Sequence, residues 1–432
     1  MALLGSVLCP STSLFSSHPK QKPLRSSRPR KPFLMTCVCA SSNGSNLMAV
    51  SEVSTDETTS FGFKNLTQTF WVDVQRAQEK PLNVKLGEPI NIGSSRIEMV
   101  ENVAIRVELS NGCVGWGEAA VTVKPRAMAL AKAKEVSEFL RRSSPMTLNL
   151  VLEEISGILH GQEFVSVRAG FEMALIDAVA NSIDVPLWRL FGGVSNSLTT
   201  AVTVPYVSPP EALKFASKFC EKGFNTMRFR MGENLNSDLE VIKAIRVVHP
   251  HCSFILDANE KFTSKEAIIV LEKLHDMNVS PVLFEQPVHR DDWNGLADVS
   301  GIARDQFGVT VVADESCQTL KDIEKIVQEN ITDGINIKLA KFGVLGVLQI
   351  VEVGRRSGLN LVIDSMVETR LGTGFAGHLA AGLGCFKHVN LDAPFKLSED
   401  PVFGGYEASG PVYNFTNSRG QGGFLKWDII AW

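Results

Sequence analysis

Ser253-Phe254-Ile255-Leu256-Asp257, Val282-Leu283-Phe284-Glu285 and Thr310-Val311-Val312-Ala313-Asp314 are three short apolar runs, each ending in an acid. Each is followed by a stretch of helical period, so each reads as a strand feeding a helix. The acids stand 28 and 29 residues apart, the length of one strand-plus-helix unit. Five further runs keep the same rhythm: Thr200–Tyr206, Thr226–Met231, Gly334–Lys338, Leu359–Ile363 and Val389–Leu391. Eight strands alternating with helices predict an α/β fold, a (β/α)8 barrel over residues 193–394. An open doubly wound sheet is the alternative, but it usually carries a glycine-rich phosphate loop after its first strand, and none is visible here.

Strand side chains alternate, so Asp257 shares the inward face with Ile255, and Glu285 with Leu283. Asp257, Glu285 and Asp314 then converge on the C-terminal mouth of the barrel, where active sites form. Three carboxylates in a narrow mouth repel one another unless a cation lies between them. An all-oxygen donor set fits one Mg²⁺ per subunit and not a soft metal. The competing reading makes each acid the N-cap of its following helix; Asp is a good cap, Glu285 a poor one. Lys338 closes the next strand and is a candidate general base, its pKa lowered by burial and neighbouring charge. A solvated rim lysine is the alternative, and Lys341 is placed further out or at the surface. Arg228 and Arg230 share one face of their strand, with Met227, Phe229 and Met231 on the other. Two cations at the mouth need carboxylates, supplied either by substrate or by the metal-site acids.

Upstream, residues 66–192 read as an α+β capping domain. Glu101–Leu109 turns at Ser110-Asn111-Gly112 and returns through Cys113–Gly117 as a hairpin. Helices follow around 126–142, 147–160 and 166–182. The segment 395–432 is expected to pack back on the cap. The first 50 residues carry no Asp or Glu but many serines and the basic residues Lys20, Lys22, Arg25, Arg28, Arg30 and Lys31. That is transit-peptide composition, placed at 1–45 with processing after Ala40 and a Ser/Thr-rich linker at 46–65. Chloroplast stroma is the expected address, with mitochondrion or cytoplasm as alternatives.

A formal net charge of -4 gives no electrostatic basis for binding nucleic acid. No uninterrupted apolar stretch approaches a membrane span. The eight cysteines are scattered without a Cys-x-x-Cys pair and read as reduced small hydrophobes. The expected partner is a small carboxylate-bearing molecule, and a homo-oligomer stays open.

Leu256-Asp257-Ala258-Asn259, Phe284-Glu285-Gln286-Pro287, Ala313-Asp314-Glu315-Ser316 and Asn336-Ile337-Lys338-Leu339-Ala340-Lys341 resemble, in this order and spacing, the enolase superfamily. Met366-Val367-Glu368-Thr369 and Leu391-Asp392-Ala393-Pro394 add to the resemblance, which covers residues 66 to 425. Within the superfamily the chain is similar to the muconate-lactonizing-enzyme subgroup and its dipeptide epimerases, the plant-type L-Ala-D/L-Glu epimerase among them. The resemblance implies Mg²⁺ on Asp257, Glu285 and Asp314, and an enediolate formed when a base removes the proton α to a carboxylate. It implies two bases on opposite substrate faces, with Lys338 as one. It also implies substrate contacts from Arg228, Asn259, Asn390 and Asp392, with specificity from cap loops around Lys85–Arg96.

Three positions depart from the family pattern. Arg228-Phe229-Arg230 replaces Lys-x-Lys, whose second lysine is the other base, and a guanidinium does not give up its proton. Asn390-Leu391-Asp392 replaces the Asp-x-Asp that binds the substrate ammonium. Asp364 stands where relatives have glycine, and is expected to pair with Arg230 or restore the lost charge. The main reading is an epimerase or racemase acting on a dipeptide or N-substituted amino acid. Two alternatives stand beside it: a one-base lyase or cycloisomerase using Lys338 with Arg230 as a charge clamp, and an impaired metal-binding homologue.

Overall fold

In the computed structural model the strands Val202–Val204, Thr226–Arg230, Ser253–Asp257, Leu283–Glu285, Val311–Ala313, Gly334–Lys338, Asn360–Asp364 and Phe386–Asn390 line up parallel, in sequence order, as one eight-stranded sheet. The structure describes residues 61–92, 95–121 and 125–428. The transit segment, the Ala40 processing point, most of the linker and part of the Lys85–Arg96 loop region lie outside them.

The first and eighth strands share no ladder, and the sheet is nearly closed by single bonds. Ala201 N–H donates to the Val389 carbonyl at 2.8 Å, and Leu391 N–H donates to Thr200 Oγ1 at 2.8 Å. Thr203 N–H donates to Asp392 Oδ2 at 2.7 Å. A side-chain carboxylate thus satisfies a backbone group that a strand neighbour would otherwise pair.

Period-two alternation sorts the strand residues as the sequence requires. Ile255 and Leu283 fill the barrel interior with Ala201, Val312 and Val362. Met227, Phe229, Met231, Phe254, Leu256 and Phe284 point outward into the core beneath the helices. Helix starts have their own caps: Asn234, Thr263, Asp292 and Thr319 accept the free N–H groups of the helices after strands two to five. None of the strand-end acids is a cap. The capping explanation of Asp257, Glu285 and Asp314 therefore falls, and their clustering needs another cause.

The cap is an antiparallel sheet of Val74–Ile92, Ser95–Leu109 and Val114–Ala119. Gly112, at φ 80, makes the hairpin turn in a left-handed conformation that a side chain resists. Helices Arg126–Arg142, Leu148–Ile158 and Val165–Ser182 cover the sheet. Val165–Ser182 is apolar around most of its circumference, and its Phe171, Ala174 and Leu175 pack into the cap core while Met173 and Ile176 join the barrel core. Gly115 and Gly117 let the strand reach that helix directly, since a Cβ at either would overlap the helix backbone.

Helix Phe61–Thr69 begins inside the stretch read as linker. Phe63 is the reason: its ring packs on Phe191 with centroids 5.5 Å apart, so apolar burial orders residues that composition marks as linker. Downstream, the hairpin Tyr406–Ser409 and Val412–Phe415 pairs with Ser197–Thr199. Leu425 and Trp427 join a cluster with Leu82, Val84 and Trp116 of the cap and Leu371 of the barrel. The described cysteines Cys113, Cys220, Cys252, Cys317 and Cys385 are free. Among the described residues, no helix is long and apolar enough to cross a membrane.

Candidate active site

Strand register decides which side chains meet at the mouth. Arg230 is level with Asp257, and Asp257 with Glu285. Across the barrel, Lys338 is level with Asp364, and Asp364 with Asn390. Just past Asp257 and Glu285 the backbone is forced into the left-handed region at Asn259 (φ 42) and Gln286 (φ 35), strain of a kind held at functional sites. Gln286 stabilises this turn: its Oε1 accepts the Asp314 and Ser316 N–H groups at 2.9 and 3.1 Å.

Arg228 is the hub of the buried acids. Its Nη2 lies 2.7 Å from Asp257 Oδ2 and 2.6 Å from Glu285 Oε1, and its Nη1 lies 3.2 Å from Asp364 Oδ2. Of the two kinds of partner the sequence allows, Arg228 here meets the protein's own carboxylates. Asp364 pairs with Arg228 and with Lys338 at 3.4 Å, not with Arg230 as expected. Strand positions alone do not say which inward side chain reaches across the barrel, and here it is Arg228 that meets Asp364. Arg230 is looser. Its Nε lies 4.0 Å from Asp257 Oδ2 and has no hydrogen-bond partner, with a quarter of the side chain exposed.

Lys338 Nζ donates to Asp314 Oδ2 at 2.5 Å. Lys341, expected further out, donates to the Asp314 carbonyl at 2.5 Å and to Oδ1 at 2.7 Å. The helix that starts at Leu339 curls Lys341 back over the mouth, which strand logic could not foresee. Asn336 was missed by sequence reasoning. Its amide donates to Glu285 Oε1 at 3.0 Å and Asp364 Oδ2 at 3.2 Å. Parity with Lys338, two residues on, was the available signal.

Electrostatics follow from these contacts. Burial raises the Glu285 carboxyl well above its usual range, with Arg228 opposing. Burial would raise Asp314 too, but Lys338 and Lys341 outweigh it and hold the carboxyl low. Burial works against the Lys338 ammonium, yet Asp314, Asp364 and Glu285 hold it above its ordinary value. That direction is opposite to the expected lowering, because these three carboxylates crowd the lysine before any added cation offsets them. Burial, with the charges of Asp314 and Asp257, pushes Glu315 up to about 7.

One oxygen each of Glu285, Asp314 and Asp364 lie within 4.8 Å of one another, a carboxylate set that fits a metal site. It shares two acids with the sequence-derived triad, while Asp257 faces Arg228. Glu285 Oε2 is buried without a hydrogen-bond partner. A fully buried carboxylate oxygen left bare is costly, and a cation is the partner it lacks. The donor set therefore fits a hard divalent ion.

The expected substrate-contact residues are divided in their commitments. Asn259 donates to Glu315 Oε1 at 3.2 Å. Both amide atoms of Asn390 are buried and unpartnered. Asp392 is fully engaged, accepting Thr203 N–H through Oδ2 and Lys396 Nζ through Oδ1 at 3.0 Å.

Barrel, cap and acid-ringed mouth define the class, and the chain belongs to the enolase superfamily, in its mandelate racemase/muconate lactonizing enzyme division. Residues 211–424 match the enolase C-terminal domain-like family, and residues 76–192 match the mandelate racemase/muconate lactonizing enzyme N-terminal domain. The chain is 57% identical over 413 residues to the L-Ala-D/L-amino acid epimerase of Populus trichocarpa, covering 95% of this chain and 96% of that one. The substrate-liganded L-Ala-D/L-Glu epimerase of Bacillus subtilis superposes with a TM-score of 0.77 at 30% identity, over 82% of this chain and 99% of that chain. A dipeptide epimerase of Enterococcus faecalis V583, complexed with Mg and L-Leu-L-Tyr, gives 0.74 at 28% identity, over 81% and 99%.

Proposed function

We propose that this protein is a Mg²⁺-dependent isomerase that inverts the α-carbon of a dipeptide or N-substituted amino acid through an enediolate. The observation that carries this reading is the placement of Lys338, buried at the mouth beside the acid cluster, on the strand opposite Arg228 and Arg230. Asp257, Glu285 and Asp314 would hold the ion, with Asp364 close by. The chemistry supplied by bound Mg²⁺ is stabilisation of the negative charge a carboxylate gains as its α-proton leaves.

Lys338 removes or returns that proton. To act as a base it must first lose its own, and its contacts with Asp314 and Asp364 are what presently keep it charged. Relief of those carboxylates' charge lowers its pKa toward a working range. Arg230 lies opposite with a free Nε and attracts the developing anion. Four basic side chains, Arg228, Arg230, Lys338 and Lys341, meet four acids, Asp257, Glu285, Asp314 and Asp364, at the mouth. Adding a divalent cation leaves positive charge that a substrate carboxylate offsets, so ion and anionic substrate favour each other's binding.

A second reading is favoured by Arg230 itself. With an arginine at the second base position, Lys338 is the one member of the expected base pair able to exchange a proton at ordinary pH. The reaction is then slow inversion, or one-base chemistry with retention. Incubation of L-Ala-L-Glu and related dipeptides with Mg²⁺ in D₂O separates these. Inversion with α-deuterium incorporation supports the epimerase, exchange with retention supports Lys338 alone, and no exchange with any dipeptide defeats both. The plant origin of the Populus relative and the acid-free N-terminal composition support a plastid address.

A further inference from the structure

Arg228 occupies oxygens that a metal needs. Its Nη2 sits on Asp257 Oδ2 and Glu285 Oε1, two acids assigned to the cation. A divalent ion on those acids would stand beside the guanidinium, and in a buried site the two positive charges repel strongly. Arg228 is itself buried and cannot retreat to water, so it needs another carboxylate when the ion binds.

Asp364 is placed to be that carboxylate. It ends the seventh strand, is buried, and its Oδ1 is fixed by the N–H of Ser365 at 2.8 Å. Its Oδ2 is left facing Arg228 Nη1 at 3.2 Å, Asn336 Nδ2 at 3.2 Å and Lys338 Nζ at 3.4 Å. Releasing Asp257 and Glu285 would leave the arginine one anion within reach, and it already touches it.

We infer that Asp364 is a positioning residue that draws the Arg228 guanidinium off Asp257 and Glu285, so that those acids can take the cation. The inference rests on the reading that this centre binds a divalent ion. It assigns Asp364 a task distinct from direct ligation, although its oxygen lies close enough to Glu285 and Asp314 to serve as a ligand.

Mn²⁺ affinity of the purified full chain, measured by electron paramagnetic resonance, tests it in wild type, Asp364→Asn, Arg228→Gln and the double variant. Circular dichroism and urea midpoints check that each is folded. Asp364→Asn should weaken Mn²⁺ by about tenfold or more, the usual cost of losing a group that orients metal ligands. In the Arg228→Gln background the same change should cost less than about threefold, because no cation remains to be drawn aside. An equal loss in both backgrounds would make Asp364 a ligand and overturn the inference, as would an unchanged affinity in Asp364→Asn. If Asp364→Asn does not fold, Asp364→Ser gives the same comparison, with Arg228→Met in place of Arg228→Gln as the second background. Wild type that binds no Mn²⁺ overturns the inference together with the metal reading. Wild type that binds Mn²⁺ but exchanges no α-hydrogen from dipeptides defeats the epimerase reading alone.

Discussion

Lys338 Nζ lies 2.5 Å from Asp314 Oδ2, with both side chains buried, so the candidate base and a candidate metal acid are one hydrogen-bonded pair. A cation on Asp314 would weaken the strongest hold on Lys338, and so couple cation binding to basicity through this contact.

On the proposed reading, Arg230 limits the reverse proton transfer. Arg230→Lys is expected to raise the rate of dipeptide inversion by at least about tenfold, since a lysine can exchange a proton where an arginine cannot. Polarimetry or chiral chromatography follows it. An unchanged rate would mean that inversion does not run through this position.

Asp392 is bonded to Thr203 N–H and Lys396, which makes it a seam closing the first and eighth strands. Asp392→Asn should lower stability by about 1–3 kcal/mol, the cost of leaving a buried partner unsatisfied. Urea denaturation measures this. Unaltered stability with a raised KM for substrates bearing a free amine would show instead that the carboxylate serves the substrate.

Much of this was legible in the chain. Spacing and alternation predict the barrel, because a strand's two faces are written in every second residue. Ile255, Leu283, Met227 and Phe229 lie where parity puts them. The N-cap alternative for the acids could not be dismissed until Thr263, Asp292 and Thr319 were seen to hold those positions. Contacts across the barrel were not legible. Arg228 with Asp364, or Lys341 with Asp314, depend on side-chain reach and on a helix's first turn, which linear spacing does not encode. The charge balance at Lys338 was not legible either, because burial and attraction oppose each other, and only the distances show which wins before a cation is added.

Two buried carboxylates away from the mouth set a pH dependence. Burial pushes Glu172 and Asp177, on the helix Val165–Ser182, up to about 7. Their folded pKa values exceed the unfolded ones, so the folded state binds extra protons between about pH 4 and 7. The stability they contribute is full at the acid end of that window and is lost as pH rises through about 7. Urea midpoints should therefore fall between about pH 5 and 7 and level off above that, and fall less steeply in Glu172→Gln. A midpoint that rises over that interval would contradict the assignment.

The most direct test is α-hydrogen exchange by wild type and Lys338→Gln, compared in D₂O with Mg²⁺ and followed by proton NMR of a dipeptide substrate. The account predicts exchange by wild type and a loss of at least about 10²-fold in the variant, the scale of one general base. Exchange by Lys338→Gln within about threefold of wild type would show that the proton leaves by another route, and Lys338 would lose its role.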